Sequence, residues 1–458
     1  MPRHLARTDQ SSRFSFWALA AFLLILWMAG GASRADALGQ TAVRFSAWVM
    51  VICVVLFLPQ VKWRQVQAPL IIFGAAVLLV AVQLIPLPSS LWTALPGRDL
   101  LKTAASVIGE EQPWRPLSIS PAATFNALSA LIVPGLVLVL TAGLTRVHHW
   151  RLVTLLLCLT LAGALLGLLQ FSGAQFDHPL INDMPRMISA NFANRNHYAL
   201  SLAIGCLLAL VWAFEGEEVR WKVVLGFGVV VLFALMILAT GSRMGMLTGL
   251  FGVALGLIIV RRRLGREFRR LPRKFAVASV VVTVALVAGA VLLSISLDRA
   301  ASIDRILALD ARDDLRAGAT PIVITMIGQY FPVGTGFGTF DPAFRISEPD
   351  FFLRPAYFNH AHNDWLEIVL DGGLLGLLLI VAALIWFVRR SLAVWKWRGE
   401  TGSKLGQLGS AIIFLIMLAS IGDYPARTPI IMAVLALSAG WLARNGRNLQ
   451  LEDGGRRH

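Results

Sequence analysis

Residues 222–260 read KVVLGFGVVVLFALMILATGSRMGMLTGLFGVALGLIIV, which is two long apolar runs separated by a very short polar break. The runs cover 222–240 and 244–260 and are almost free of ionisable side chains. A helix of about 17 to 25 apolar residues crosses a hydrocarbon core about 30 Å thick, and backbone groups in lipid must be bonded within helices or closed barrels. The stretch therefore predicts two membrane-spanning helices joined by a tight turn.

The whole chain has the composition of a membrane protein. Hydrophobic residues account for 57% of its 458 residues and charged residues for 15%, whereas soluble globular proteins carry about 25% charged residues. The three cysteines, Cys53, Cys158 and Cys206, lie within apolar runs, which argues against a disulfide framework or a zinc site. The high share of hydrophobic residues and the low share of charged residues exclude an ordinary soluble enzyme.

Twelve apolar stretches along the chain are long enough to be spanning helices. The sequence thus predicts an all-α membrane protein with about twelve transmembrane helices and a large loop, 298–365, between helices 9 and 10. This count divides the chain into helices 1–5 in 1–171, a central region in 172–388, and helices 11–12 with a tail in 389–458. The stretches are 14–32, 42–59, 68–86, 126–144, 151–171, 197–214, 222–240, 244–260, 275–297, 366–388, 407–421 and 428–443.

The positive charges sort the loops onto two sides. The chain carries 41 Lys plus Arg against 26 Asp plus Glu, a net charge of +15. These charges cluster in alternate loops and at both termini, as the positive-inside rule describes for the cytoplasmic side. We therefore predict cytoplasmic termini and an outer face formed by the other loops. Nucleic-acid binding is not expected, because it would place the charge on a polar face. The basic loops are 62–64, 146–151, 220–222, 261–274 and 389–404.

The first apolar stretch also resembles a secretory signal peptide, because it follows basic residues and precedes Ala35-Asp36-Ala37. The run is long for a signal peptide and contains Trp27. A retained first helix is therefore the favoured interpretation.

Polar side chains open the sixth predicted helix, at its outer end. They include Asn194, Arg195, Asn196 and His197. Ionisable groups at membrane segments are costly and so are functional candidates, and the free N–H groups of a helix N-terminus favour an anion. This group is therefore predicted to bind substrate, with helix capping by Asn194 or Asn196 as the alternative role.

Arg243 lies in the break between the two apolar runs quoted above. In the predicted topology it is on the outer side, where the positive-inside bias works against arginine. A snorkelling side chain is the alternative, but snorkelling explains arginine on the cytoplasmic side better. We expect Arg243 to contact an anionic substrate.

Arg316 begins a segment of the long loop whose apolar spacing predicts an amphipathic helix ending before Pro332. Residues 332–338 read PVGTGFG and predict a glycine-rich turn. This turn is not a nucleotide-binding loop, because no strand and no Lys-Ser/Thr pair accompanies it. Arg316 is a candidate for the site, and pairing with Asp313 or Asp314 is the alternative.

His360, His362, Asn363 and Asp364 immediately precede the tenth predicted helix. Two histidines at this spacing would need a further ligand to hold a metal. A histidine beside the membrane is better suited to act as a general base, because its ordinary pKa of about 6.5 lets it take a proton near neutrality. A structural histidine is the alternative.

The last outer turn, between the eleventh and twelfth predicted helices, contains Asp423, Tyr424, Pro425 and Arg427. Asp423 and Arg427 carry opposite charges four residues apart. The residues alone predict no more than an ion pair between these two at the surface.

The order and spacing of these groups resemble the O-antigen ligase and O-antigen polymerase superfamily of bacterial membrane glycosyltransferases, over about residues 190–385. The most specific element is His362-Asn363 with nine residues before Gly373-Leu374-Leu375-Gly376. The turn at 423–427 is also similar to the family's C-terminal part. The other matching pieces are Asn194-Arg195-Asn196-His197, Ser242-Arg243, and Arg316 before Pro332-Val333-Gly334-Thr335-Gly336.

The resemblance implies a reaction and a location. Such proteins have about a dozen helices with a large periplasmic loop in the bacterial inner membrane. They transfer a glycan from an undecaprenyl-diphosphate carrier to an acceptor hydroxyl, without a metal or another cofactor. For this chain, 172–388 becomes the catalytic region, with His362 as base, oriented by Asn363 or Asp364, and Arg243 and Arg316 at the diphosphate. The substrate-binding candidates are Arg195, Asn194, Asn196, His197, Asn363 and Arg427.

Three functions remain open at this point. The resemblance favours a ligase, whose acceptor is lipid A-core. An O-antigen or exopolysaccharide polymerase, whose acceptor is another carrier-linked repeat unit, is the alternative. A polysaccharide transporter or flippase is less favoured, because it should show repeated halves with broken helices near the bilayer midplane, whereas one outer loop here is far larger than its counterparts.

Overall fold

The computed structural model describes residues 3–58, 61, 63–174, 178–181, 187–216, 220–270, 318–353, 358–396 and 403–444. This part is almost entirely helical, with a short hairpin in which β1 (Pro86–Leu87) pairs antiparallel with β2 (Arg115–Pro116). The helices are α1 (Arg3–Ala29), α2 (Leu38–Phe57), α3 (Gln67–Val82), α4 (Ser89–Thr93), α5 (Asp99–Val107), α6 (Pro121–Ala130), α7 (Ile132–Ala142), α8 (Arg146–Phe171), α9 (Arg195–Ala213), α10 (Arg220–Thr240), α11 (Arg243–Arg270), α12 (318–330), α13 (Phe340–Ser347), α14 (Asp364–Lys396), α15 (Ser403–Ala419) and α16 (Pro429–Ala443).

Eight segments within the described residues are long and apolar enough to cross a membrane. They lie in α1, α2, α6 with α7, α8, α9, α10, α11 and α14, and three further apolar helices, α3, α15 and α16, are shorter. Together they coincide with eleven of the twelve stretches predicted from the sequence, and the all-α membrane fold is confirmed. The remaining stretch, 275–297, lies outside the described residues, so the total of twelve stays a prediction.

The helix α9 occupies the centre of the bundle. Most of its side chains from His197 to Ala213 are buried, and it packs against α8, α10, α11 and α15. Membrane helices associate through close contacts of small residues, because lipid offers no hydrophobic driving force between them. A Cβ on Gly252 of α11 would lie 2.5 Å from the carbonyl oxygen of Ala203 on α9. The backbones of α9 and α11 therefore approach closely at this glycine.

The basic loops that the sequence grouped together meet at one end of the bundle. Lys404 Nζ donates to Glu215 at 2.7 Å, and Arg146 lies 4.0 Å from the same carboxylate. Nearby, Arg444 donates to the carbonyl oxygen of Leu144 at 2.9 Å. The structure brings these loops together as the charge pattern predicts, and their assignment to the cytoplasm stays a prediction.

Toward the opposite end, the glycine-rich turn 332–338 docks against α14. The helix α14 breaks at Gly373, where φ is +56° and ψ is −141°. Backbone hydrogen bonds close the contact, among them Thr335 N–H to the carbonyl oxygen of Leu370 at 3.0 Å. The predicted turn is confirmed, and α12 ends before it as the sequence indicates.

Arg98 connects the loop between α3 and α6 to this turn. It is fully buried and donates to the carbonyl oxygens of Leu117 at 2.7 Å and Gly334 at 3.3 Å. Its guanidinium also lies 5.6 Å from the ring centroid of Tyr330. Burial lowers the pKa of Arg98 to about 10, so the side chain stays charged at neutral pH. A buried cation bonded to both loops therefore fixes their relative position.

We expect Gly373→Ala to destabilise the protein by about 1–3 kcal/mol, because an L residue is strained at this φ. A Cβ at this position would also lie 2.2 Å from the carbonyl oxygen of Pro332. Thermal unfolding of the purified protein in detergent measures the loss. Gly74→Ala is the control, since a Cβ on Gly74 meets nothing within 4 Å. Equal melting temperatures for the two variants would contradict the close contact.

Candidate active site

Four segments come together at the end of the bundle opposite the basic loops. They are the start of α9, the turn between α10 and α11, the residues before α14, and the turn between α15 and α16. Asn196 links the first two, because its side-chain oxygen accepts a 2.8 Å hydrogen bond from Ser242 Oγ. Thr428 Oγ1 lies 2.9 Å from His197 Nδ1 and links the first to the last. Polar groups that the sequence presents separately therefore share one site.

Asp423 is the buried acceptor at the centre of this site. Its carboxylate accepts hydrogen bonds from the side-chain amides of Asn194 at 3.0 Å and Asn196 at 2.5 Å. His197 Nε2 lies 3.6 Å and His362 Nδ1 3.4 Å from Asp423 Oδ1. Burial alone would raise the pKa of Asp423, but the two histidines outweigh burial and hold it well below its usual value. The side chain is therefore an ionised carboxylate at neutral pH.

His362 adopts an unusual backbone conformation beside this carboxylate. Its φ is +51°, which is uncommon for a residue with a Cβ. The imidazole packs on Tyr424, with ring centroids 4.9 Å apart, and 15% of the side chain is exposed. Strained residues persist where the surroundings hold them, often at active sites. The imidazole is thus held next to Asp423 and stays reachable from outside.

A second charged cluster adjoins the first. Arg427 Nη2 lies 3.3 Å from Glu367 Oε1 and 3.6 Å from Asp371 Oδ2, and its Nε lies 3.4 Å from Asp364 Oδ1. Burial lowers the pKa of Arg427, but these carboxylates raise it above its usual value. Glu367 also pairs with His360 Nδ1 at 2.8 Å. Arg427 is therefore the shared counter-ion of three carboxylates on α14.

The expected surface ion pair between Asp423 and Arg427 is wrong. Asp423 is buried and contacts amides and imidazoles, whereas Arg427 contacts carboxylates. The reason is the spacing of the acidic residues at 364, 367 and 371, which puts them on one face of α14. Three carboxylates on one buried face require a cation, and Arg427 lies within their reach.

Sequence reasoning missed Asp423 as the partner of His362. It named Asn363 or Asp364, but Asn363 Oδ1 accepts the backbone N–H of Trp365 at 3.0 Å and caps α14. Asp364 accepts a 2.9 Å hydrogen bond from Ser420 Oγ. The sequence offered one signal, an acidic residue in a turn predicted to lie on the outer side. Its approach to His362 depends on the packing of α14 against α15 and α16.

Asn194 caps α9 and binds Asp423 at the same time. Its Oδ1 accepts the backbone N–H of Asn196 at 2.8 Å, while its amide nitrogen donates to the carboxylate. The capping role considered from the sequence is therefore confirmed for Asn194. One amide thus fixes both the start of the helix and the central acid.

Arg195 and Arg243 begin α9 and α11, which adjoin each other at this end. Arg195 Nη1 lies 3.7 Å from the position that a Cβ would take on Gly241, and Arg243 is exposed. Arg316 falls outside the described residues. Two helix N-termini and two arginines therefore place positive charge beside the Asp423 and His362 pair, where an anion is favoured.

Residues 228–381 match the family model described as O-Antigen ligase. A search of curated proteins found no match. The matched segment runs from α10 into α14 and holds Arg243, His362 and the glycine-rich contact at Gly373. The family implies a multi-pass membrane protein that acts on lipid-linked glycans. This part of the chain, 228–381, is therefore similar to the O-antigen ligase family.

Proposed function

We propose that the chain transfers a glycan from an undecaprenyl-diphosphate carrier to the hydroxyl of lipid A-core at the periplasmic face of the bacterial inner membrane. The observation that carries this proposal is the partly exposed His362 imidazole, 3.4 Å from the buried carboxylate of Asp423, with Arg195 and Arg243 at the same end. A base beside concentrated positive charge suits a reaction with an anionic leaving group. The family match supports the coarser activity, a membrane glycosyltransferase of ligase or polymerase type.

His362 takes the proton from the acceptor hydroxyl as that oxygen attacks the anomeric carbon of the sugar. The bond between this carbon and the diphosphate oxygen breaks with inversion, and its electron pair leaves on the diphosphate. Arg243, Arg195 and, by the family pattern, Arg316 stabilise the charge that develops there. Asp423 stabilises the imidazolium, and loss of its proton to solvent restores the base.

The remaining candidates act mainly through Asp423 and the backbone. Asn194, Asn196 and His197 hold the carboxylate, so their effect on substrate is indirect. Arg427 holds the carboxylates of α14, which fixes the segment before that helix. We therefore assign these four to positioning and reserve direct contact with the diphosphate for the arginines at helix N-termini.

A polymerase of the same superfamily is the alternative, and it differs only in the acceptor. Deleting the gene separates the two functions. Loss of all polymer on lipid A-core identifies a ligase, a single capped repeat unit identifies an O-antigen polymerase, and loss of exopolysaccharide alone identifies a secreted-polymer system. A transporter should place its charged groups near the bilayer midplane, whereas the clusters described above lie at helix ends.

We expect His362→Ala to lower kcat for glycan transfer by about 10²- to 10⁴-fold, the usual contribution of a general base. Membrane vesicles supplied with the carrier-linked glycan and acceptor measure transfer at matched protein levels. His178→Ala is the control, because His178 lies in another loop, where its Nδ1 accepts the N–H of Leu180. Unimpaired transfer by the His362 variant would remove this residue as the base.

We expect Asp423→Asn to lower kcat by about 10²-fold, since a small displacement of a catalytic group has effects of this size. The KM for the donor should change little, because Asp423 contacts His362 and its neighbours. Asp99→Asn is the control, since Asp99 forms an exposed pair with Lys102. A donor KM that rises as much as kcat falls would contradict the positioning role.

The lowered pKa of Asp423 also predicts how this variant behaves with pH. Its folded-state pKa lies below the ordinary value of 3.8, so the ionised group contributes stability that is fully present above 3.8. This contribution is lost as the pH falls through the lowered pKa. Acid unfolding of Asp423→Asn should therefore lack the part of the pH dependence that Asp423 gives the wild-type protein.

We expect Arg243→Ala to lower kcat/KM for the donor by about 10²-fold, the usual effect of removing one group that stabilises developing negative charge. Arg243→Lys should be intermediate, because lysine keeps the charge but loses bidentate hydrogen bonding. Steady-state transfer at varied donor concentration is the measurement. Arg345→Ala is the control, since Arg345 pairs with Asp341 on the exposed face of α13. An equal loss in both alanine variants would argue against a specific contact.

A further inference from the structure

A large cavity opens between the N-terminal helices and α14–α16. Its volume is about 1120 Å³, above the roughly 300–1,000 Å³ of ordinary small-molecule pockets. The wall is mostly apolar and follows α14 from Asp364 to Phe387 and α16 from Met432 to Ala439. The cavity therefore extends from the outer end of the bundle well into the membrane-spanning part, as the hydrocarbon chains of a lipid require.

Arg44 lines this cavity from within α2. The helix α2 can cross the membrane over Leu38–Phe57, so Arg44 lies inside a candidate span. Its Nη2 donates to the neutral side-chain oxygen of Gln40 at 3.5 Å, and its Nε is buried with no hydrogen-bond partner among the described residues. An arginine inside a membrane span is costly unless an anion or other acceptor meets it.

The other cations on the cavity wall have carboxylate partners. Arg34 Nε donates to Asp36 Oδ1 at 2.9 Å, and Arg427 contacts the carboxylates of α14. Within the described part of the chain, Arg44 is paired with no carboxylate. Among the described residues of the wall, Arg44 is therefore the cation that remains available to a ligand in this mostly apolar cavity. One cation on an apolar wall suits a lipid that carries a phosphate.

The position of the cavity relative to the proposed reaction points to one of the two lipid substrates. Arg195 and Arg243 are not among the residues that line it, whereas His360 is. The segment 360–362 therefore adjoins the cavity at His360 and the Asp423 cluster at His362. If the diphosphate of the donor binds at Arg195 and Arg243, the cavity remains open to the acceptor, the lipid that carries the hydroxyl.

We propose that this cavity binds the acceptor lipid, with its chains along α3, α7 and α16 and a phosphate on Arg44. The inference rests on the proposed function and identifies where its second substrate enters. Arg44 is then a specificity-determining residue, because it distinguishes a phosphate-bearing lipid from a neutral one. It contacts the substrate at a distance from the reacting atoms.

Lipid binding by the purified full-length chain tests the site without requiring catalysis. Native mass spectrometry compares dimyristoyl phosphatidic acid with uncharged dimyristoylglycerol. The wild-type protein should prefer the phosphate-bearing lipid by about tenfold or more, the effect of one charge-assisted contact, and Arg44→Gln should lose this preference. Arg115→Gln is the control and should keep it, since Arg115 lies over the Trp92 ring in an outer loop. No preference in the wild type, or an unchanged preference in Arg44→Gln, overturns the proposal.

A second variant tests the apolar part of the cavity independently of Arg44. Ala76 on α3 lines the wall, and Ala76→Trp should weaken binding of both lipids by partly filling the space. Leu56→Trp is its control, because Leu56 is an exposed residue of α2. Thermal unfolding shows that the compared variants are folded. Full binding of both lipids by the Ala76 variant would place them outside the cavity and overturn the proposal.

Transfer kinetics then separate the acceptor from other phosphate-bearing lipids. Arg44→Gln should raise the KM for the acceptor about tenfold and leave the KM for the donor unchanged. A rise in the donor KM instead assigns the cavity to the carrier, and lost lipid binding with normal kinetics assigns it to a structural phospholipid. Either result overturns the acceptor site. Failure of the wild-type protein to transfer glycan would refute the proposed function, while the phosphate preference of Arg44 would still be measured by binding.

Discussion

The ionised carboxylate of Asp423 determines how the end of the bundle opposite the basic loops is built. A buried charge is expensive unless hydrogen bonds and opposite charge meet it. Asn194 and Asn196 at the start of α9, together with His197 and His362, provide these contacts. Segments far apart in the sequence must therefore meet at one point. The close approach of α9 and α11 below that point keeps the amides and the neighbouring arginines in place.

The cluster around Arg427 has a different task, because it fixes the backbone that carries the proposed base, His362. Glu367 accepts hydrogen bonds from His360 Nδ1 and from the backbone N–H of Ala361, both at 2.8 Å, and Arg427 holds Glu367 at 3.3 Å. Glu367 thus clamps the two residues before His362, where φ is positive. Strained backbone of this kind persists only under such restraint. The two charged clusters therefore work as one unit, the first orienting the imidazole and the second its main chain.

The membrane fold could be predicted from the sequence because the bilayer itself sets the length of apolar runs and the side on which basic residues collect. The glycine-rich turn at 332–338 also followed from local rules. The partner of His362 did not, because Asp423 belongs to another loop and only helix packing joins them. Arg427 was paired wrongly for a related reason. A local pattern offers its nearest acid, whereas in the fold three carboxylates of α14 compete for the same cation.

The break in α14 at Gly373 bears on how the proposed reaction between two lipids is accommodated at the end of a helical bundle. Both substrates of the proposed reaction lie in one leaflet, so the exchanged bond must lie near headgroup depth. Irregular backbone near that depth is tolerated only where protein or a water-filled space surrounds it, and the turn 332–338 seals the break with backbone hydrogen bonds. The part of α14 before Gly373 is thereby held by the turn 332–338 and by Arg427. In the proposed reaction, lipids reach His362 at this end of the bundle while the spanning helices stay in place.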